Sequence, residues 1–281
     1  MIDLHCHILP GVDDGPQTLA EALEMARMFV RDGVTTVACT SHILPGLYPN
    51  HGCDLRSRVG DLQAKIDQEG IPLRLVTGAD NHIVPDMVRS LREGHLLPIA
   101  DSRYVLVEPP HHVAPRGLDV LFFSLTVAGY VPILTHPERL SWLNERYASI
   151  ETWVRAGVWM QVTAGSLAGV FGRGAQYWAE HILDDGLAHV LATDAHDTKI
   201  RAPDLRRGRD LAAARLGDLE ARYLVTDRPG GVIENAAPSE LPAPPASCAT
   251  IPNLATSAQI KSDHRGSPLS RISRRVRSLI D

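Results

Sequence analysis

The opening run Ile2-Asp3-Leu4-His5-Cys6-His7 sets two imidazoles one residue apart, and a Pro10-Gly11 turn then brings Asp13 and Asp14 back toward them. A strand alternates its side chains, so His5 and His7 face one side and Cys6 the other. Imidazoles paired in this way, with Asp14 returning beside them, can share or neighbour one divalent ion. Alone, the pattern fits equally a buried strand end whose histidines bond to backbone. The rest of the chain favours metal, because short apolar runs repeatedly end in ligand-type residues. Residues 37–41 end in His42, 73–78 lead to Asp80 and His82, 104–107 to Glu108, 131–135 to His136, and 189–193 to Asp194 and His196.

The candidate ligands are His5, His7, Asp14, His42, Asp80, Glu108, His136, Asp194 and His196, imidazoles and carboxylates only. Nine such groups exceed the need of one ion, so two or three ions with bridging carboxylates are expected. Nitrogen and oxygen donors without thiolate suit manganese, iron or zinc. Ions about 3.5–4 Å apart can activate a water and hold the attacking and leaving oxygens of a phosphoryl displacement. Arg139, three residues beyond His136, and Arg201, five beyond His196, fall on loops at the same face and are placed to grip phosphate oxygens as rigid forks.

Other polar residues draw plainer expectations. Asp13 reads as a turn or capping residue, with its side chain directed away from the ligands. His82 is expected to point to solvent or the next helix. His111 and His112 lie in a Pro-rich loop and are expected to be exposed, while Gln161, Thr163 and Ser166 close a strand where they either touch substrate or cap backbone. Cys6, Cys39, Cys53 and Cys248 show no CxxC spacing and read as reduced thiols, Cys6 and Cys39 as packing residues. A cysteine-nucleophile phosphatase needs an arginine six positions after its cysteine, where this chain has Val12, Pro45, Val59 and Leu254. Phosphate-cradling P-loops and GxSxG elbows are also absent.

The elements that must position these groups alternate. Between the apolar runs lie stretches of helical periodicity at 19–32, 55–69, 115–128, 145–156 and 175–185, with apolar residues at three- and four-residue steps such as Val59, Leu62 and Ile66. Alternation predicts parallel strands joined by crossover helices, and ligands at nearly every strand end predict a closed barrel rather than an open sheet with one switch point. About seven strands are countable, 159–162 being the sixth. The 281 residues are 44% hydrophobic and 22% charged, enough for a sizeable core, and the net charge of −5 argues against a general nucleic-acid binder. No export signal or spanning segment is evident, so a cytoplasmic location is expected.

The segments DLHCHILPGVDDGP, TSH, VEPP, THPER, QVTAGSLAGVFG and TDAHD, in this order, resemble the polymerase-and-histidinol-phosphatase (PHP) superfamily. Within it they resemble the manganese-dependent protein-tyrosine phosphatases of capsule and exopolysaccharide operons, the CpsB/CapC/YwqE group. The resemblance covers residues 1–236. It implies an α/β fold, a distorted PHP-type (β/α)7 TIM-like barrel, with a trinuclear manganese centre that hydrolyses phosphotyrosine on a membrane-associated bacterial tyrosine autokinase. More loosely, it suggests homo-oligomeric assembly. By the same resemblance, His5, His7 and Asp194 hold one ion, Asp80 bridges to a second held by Glu108 and His136, and Asp14, His42 and His196 hold the third. Arg139 and Arg201 match the phosphate-gripping arginines. One departure stands out: most relatives have glutamate in a GxE stretch where this chain has Gly78-Ala79-Asp80, so either the strand end moves inward or the bridge changes.

Residues 237–281 differ in character, with six prolines among Ser, Ala and Thr, and are expected to form a disordered tail beyond a 1–236 barrel. Within it, 269–281 carries Arg271, Arg274, Arg275 and Arg277 among apolar residues. That weak amphipathic pattern fits a solvated terminus, or a short helix docking on an anionic membrane or partner. Two further functions remain open from the residues: a PHP phosphoesterase for a small ester such as histidinol phosphate or a nucleotide, and a non-catalytic regulator that binds the phosphorylated kinase.

Overall fold

The structure, a computed structural model, describes residues 1–248; the basic segment 269–281 and the side chain of Cys248 lie outside the described residues. Its strands are β1 (Ile2–Cys6), β2 (Thr36–Cys39), β3 (His42–Ile43), β4 (Arg74–Thr77), β5 (Asp80–His82), β6 (Tyr104–Glu108), β7 (Val131–Thr135), β8 (Trp159–Thr163) and β9 (Val190–Ala192). Two of the runs are broken, β2 from β3 at Thr40-Ser41 and β4 from β5 at Gly78-Ala79, so nine segments make seven ladder positions. All pairings are parallel, in the orders β1-β2-β4 and β3-β5-β6-β7-β8-β9.

Backbone bonds at the breaks join the two ladders: Thr40 N donates to Cys6 O at 2.8 Å and Asp80 N to Thr40 O at 3.0 Å. On the far flank Asp194 N donates to His5 O at 2.8 Å and His7 N to Ala195 O at 2.9 Å, which returns β9 to β1. These bonds link the seven ladder positions into a distorted barrel, the two sheets being joined at their seams. Around it run α1 (Leu19–Asp32), α2 (Gly52–Gln68), α3 (Met87–Arg92), α4 (Leu118–Val127), α5 (Leu143–Arg155), α6 (Ala164–Leu167), α7 (Gly172–Asp184), α8 (Leu205–Leu216), α9 (Asp218–Arg222) and α10 (Arg228–Ile233). The first starts on a capping box, Thr18 Oγ accepting from Glu21 N while the Glu21 carboxylate accepts from Thr18 N, and stops at Gly33 in the left-handed region. Among the described residues no helix is long and apolar enough to cross a membrane.

Strand alternation sorts the core into two layers. Outward residues such as Val37, Leu75, Val105, Leu134, Met160 and Leu191 pack against helix residues including Phe29, Leu62, Phe122 and Ile182. Inward residues Leu4, Ala38, Val76, Tyr104, Leu106, Ile133, Trp159 and Val190 fill the barrel, with Val232 of α10 among them. Continuing inward toward the C-terminal ends, the residue type changes: Tyr104 and Leu106 are followed by Glu108, Trp159 by Gln161, Val190 and Ala192 by Asp194. Apolar layers below thus exclude water from a polar layer above, which is where such barrels carry chemistry.

Beyond Ala236 the chain stays on this body. Arg228 is fully buried, pairs with Glu220 at 2.7 Å, and donates to Pro242 O at 2.7 Å and Ala243 O at 3.0 Å. Leu241 covers Gly231, where an added Cβ would meet its Cδ2 at 2.2 Å, and Ala246 N donates to Gly186 O. Cys6 and Cys39 are buried free thiols and Cys53 an exposed one.

Candidate metal centre

The C-terminal rim gathers all nine candidate ligands. His5 Nε2 stands 3.3 Å from His7 Nε2, 3.3 Å from Asp194 Oδ1 and 3.4 Å from Asp80 Oδ2. His196 Nε2 lies 3.3 Å and His42 Nε2 3.6 Å from Asp14 Oδ1, and the His7 ring stacks 3.9 Å from that of His196. His136 Nε2 lies 3.7 Å from Glu108 Oε1 and 3.9 Å from Asp80 Oδ2. Backbone strain aims two of these groups: His136 (φ 33°) and Asp194 (φ 53°) sit in the left-handed region, at a cost of about 1–3 kcal/mol each. The groupings overlap, since His5, His7, His42, Glu108 and His136 each fall in more than one set of potential ligands.

Four carboxylates, Asp14, Asp80, Glu108 and Asp194, converge here. Burial works against charge on Glu108, yet the imidazoles of His111, His42 and His82 hold its carboxyl well below the usual range; for Asp194, His5 and Arg201 outweigh burial in the same way. Asp80, fully buried beside Glu108, is nevertheless drawn down to about 2 by His5 and His136. Burial and the neighbouring Arg139 lower His136 to about 4, and burial and His7 lower His196 to about 4, leaving both as neutral imidazoles, the ligating form. His5 is pushed the other way, burial being overcome by Asp194 and Asp80, to about 9.

The donor set fits divalent cations. Both Asp80 oxygens, Glu108 Oε2, His42 Nδ1 and His196 Nε2 are buried with no hydrogen-bond partner among the described residues. Buried carboxylates crowded together in this way are expensive, and a cation bound between them removes the cost. Orienting partners are in place as well: His5 Nδ1 lies 2.7 Å from Gln161 Oε1 and His7 Nδ1 2.8 Å from Asp13 Oδ2, each fixing which ring nitrogen faces the centre.

Three expectations from sequence are corrected. Asp13 is not turned away from the ligands: besides holding the turn through Gly15 N (3.1 Å), it accepts from His7 and from His42 N (3.0 Å), because β1 ends at Cys6 and the turn beyond it, with Gly11 in the left-handed region, folds the Asp13 side chain back over the centre. His82 points at Glu108, 2.5 Å from Oε2, rather than at solvent or a helix. His111 is half-buried, its Nε2 3.2 Å from Glu108 Oε1, since Ser141 N and Oγ both donate to His111 O and draw the Pro-rich loop over the rim. Gln161 orients a histidine, and Ser166 donates to buried Glu138 at 2.7 Å, so Ser166 and Thr163 N secure the loop that carries His136 and Arg139.

Arg139 and Arg201 both donate to Asp194 Oδ2, Arg201 at 2.5 Å, and both guanidinium groups lie over the Phe171 ring, 4.3 and 5.7 Å from its centroid. Two fixed forks at the edge of a carboxylate-lined cation site form a receptor for a phosphate group, and the Phe171 ring beside them offers an apolar face. The sequence reading gave Phe171 no role; its signal was its place in the QVTAGSLAGVFG segment, between the THPER and TDAHD loops.

Comparison with known proteins places these features in context. The family described as capsular polysaccharide synthesis, CpsB/CapC, matches residues 1–234. The tyrosine-protein phosphatase YwqE of Bacillus subtilis is 37% identical over 201 residues, 72% of this chain and 79% of that one. The tyrosine-protein phosphatase CpsB of Streptococcus pneumoniae is 26% identical over 238 residues, covering 83% and 98%. A solved structure from work on YwqE and CpsB, described there as unique metal-dependent tyrosine phosphatases, superposes with a TM-score of 0.81 at 33% identity, covering 84% of this chain and 96% of that one.

Proposed function

The chain belongs to the CpsB/CapC capsular polysaccharide synthesis family, and from that premise we propose that it is a metal-dependent phosphatase hydrolysing phosphotyrosine in protein substrates. The observation that carries the reading is the pair of arginines sharing Asp194 Oδ2 and flanking Phe171, because it sets phosphate forks and an aromatic face beside one cation centre. His5, His7, Asp14, His42, Asp80, Glu108, His136, Asp194 and His196 hold two or three ions, manganese by the family resemblance. Bound there, such ions supply Lewis acidity and lower the pKa of an attacking water.

The protein's own contribution is placement. Arg139 and Arg201 bind non-bridging phosphate oxygens and neutralise charge that grows toward the transition state. Phe171 lies against the tyrosyl ring and sets the scissile bond over the centre, while Gln161 and Asp13 keep His5 and His7 in fixed tautomers. No cysteine or serine nucleophile takes part. The family's name supports a role in capsule synthesis, with a phosphotyrosine segment of a membrane-associated bacterial tyrosine kinase as the substrate, met in the cytoplasm. A turnover screen on manganese-loaded protein tests this: phosphotyrosine peptides should be hydrolysed with kcat/KM at least about tenfold above histidinol phosphate and nucleoside monophosphates. Preference for a small metabolite ester would refute it.

A further inference from the structure

We propose that His82 is a metal ligand in this chain, forming with Glu108 and His42 a two-nitrogen, one-carboxylate pocket for a divalent ion and supplying the reach that the short Asp80 side chain lacks. The inference rests on the reading of the rim as a metal centre and adds to it a ligand outside the nine. Asp80 and His82 are two residues apart on β5 and so face the same side, as His5 and His7 do at β1. The parallel register sets His82 directly opposite Glu108 on β6. His82 Nε2 stands 2.5 Å and His42 Nδ1 3.1 Å from Glu108 Oε2, with the three donor atoms all within 4.8 Å of one another. Donors of one ion at bonds of about 2.1 Å stand roughly 3–3.5 Å apart, so small rotations complete the pocket.

The position of Asp80 explains why the extra ligand is needed. Its Oδ2 lies 3.4 Å from His5 Nε2 and 3.6 Å from His42 Nδ1 but 3.9 Å from His136 Nε2, drawn toward the His5 end of the centre. A glutamate at this position would extend one methylene further across. Here the next inward residue of the same strand fills that side with an imidazole. Neither Asp80 oxygen has a hydrogen-bond partner among the described residues, and Glu108 Oε2 faces only the His82 and His42 ring nitrogens, so the pocket is walled by buried donor atoms aimed into it.

The rival role for His82 is that of a hydrogen-bond donor holding Glu108, and His82→Gln separates the two: glutamine keeps an N–H donor and loses the imidazole lone pair. Full-length protein is loaded with Mn2+, desalted, and its metal content and Mn2+ affinity are measured; Zn2+-loaded, 15N-histidine-labelled protein is examined by NMR. Ligation predicts a His82 Nε2 without a proton, and loss of one ion per chain or about a hundredfold weaker binding in His82→Gln. It also predicts that Asp80→Glu in the His82→Gln background restores binding to within about tenfold of the original protein. A protonated Nε2, wild-type affinity in His82→Gln, or further loss in the double variant overturns the proposal. Failure of the original protein to bind any ion overturns the metal-centre reading itself, a distinguishable result.

Discussion

Replacing Asp13 by Asn isolates the value of holding a ligand still. Asp13 Oδ2 accepts from His7 Nδ1 at 2.8 Å and from His42 N at 3.0 Å, and Oδ1 from Gly15 N at 3.1 Å. Asparagine preserves volume and one acceptor oxygen, so the turn at Gly15 or the contact with His7 survives, but not both with a full charge. The carboxylate's bond to an imidazole is charge-assisted and contributes roughly 1.5–3 kcal/mol, about twice a neutral one. Losing half or more of that leaves His7 free to present either nitrogen to the centre, and metal affinity should fall about 10–100-fold, equivalent to roughly 1.4–2.7 kcal/mol. Isothermal titration with Mn2+ reads the affinity, and thermal melting of metal-free protein gives a second value that should fall by about 1–2 kcal/mol. Unchanged affinity would refute the orienting role; a collapse in the melt would show that Asp13 serves the turn first.

His136→Ala should lose an ion and nearly all turnover, whereas Arg139→Ala or Arg201→Ala should keep metal content and lose about 10²-fold or more in kcat, near 3 kcal/mol, as for a missing transition-state donor; an arginine variant with wild-type rates removes that residue from the site. Ending the chain after Ala236 strips Arg228 of its bonds to Pro242 and Ala243 and should destabilise the fold by about 2–5 kcal/mol relative to the full chain; equal melts would show those contacts to be idle. Burial and the charge of Arg228 lower His189 to about 3, so the unfolded chain binds a proton below pH 6.5 that the folded one refuses. The resulting stability is fully present above pH 6.5 and is lost as pH falls toward 3. Against His189→Phe, the original protein should lose about 2 kcal/mol between pH 6.5 and 5, and parallel stability curves for the two would contradict it.

What could be read from the sequence was whatever depends on one strand at a time. Residues 104–108 and 189–194 show an apolar run ending in a carboxylate, and alternation turns Glu108 into the barrel, so the strand count and the ligand inventory follow without knowing any neighbour, although a left-handed backbone at Asp194 sets its final aim. His82 and His111 required knowledge of pairs: the first faces Glu108 through the β5–β6 register, the second through a loop anchored by Ser141, and neither relation is local in sequence. Asp13 was misread because its side chain is aimed by the tight turn over residues 9–15, which lies beyond the end of β1 and includes left-handed Gly11, and not by any strand pattern. Composition misjudges residues 237–246 for a different reason. Proline-rich stretches bury little apolar area, yet their carbonyls remain strong acceptors, and one buried guanidinium at Arg228, already paired with Glu220, gains from collecting two of them. A buried arginine near the end of an apparent domain is thus a signal that the chain after it still belongs to the fold, because its five donors outnumber what a single carboxylate accepts.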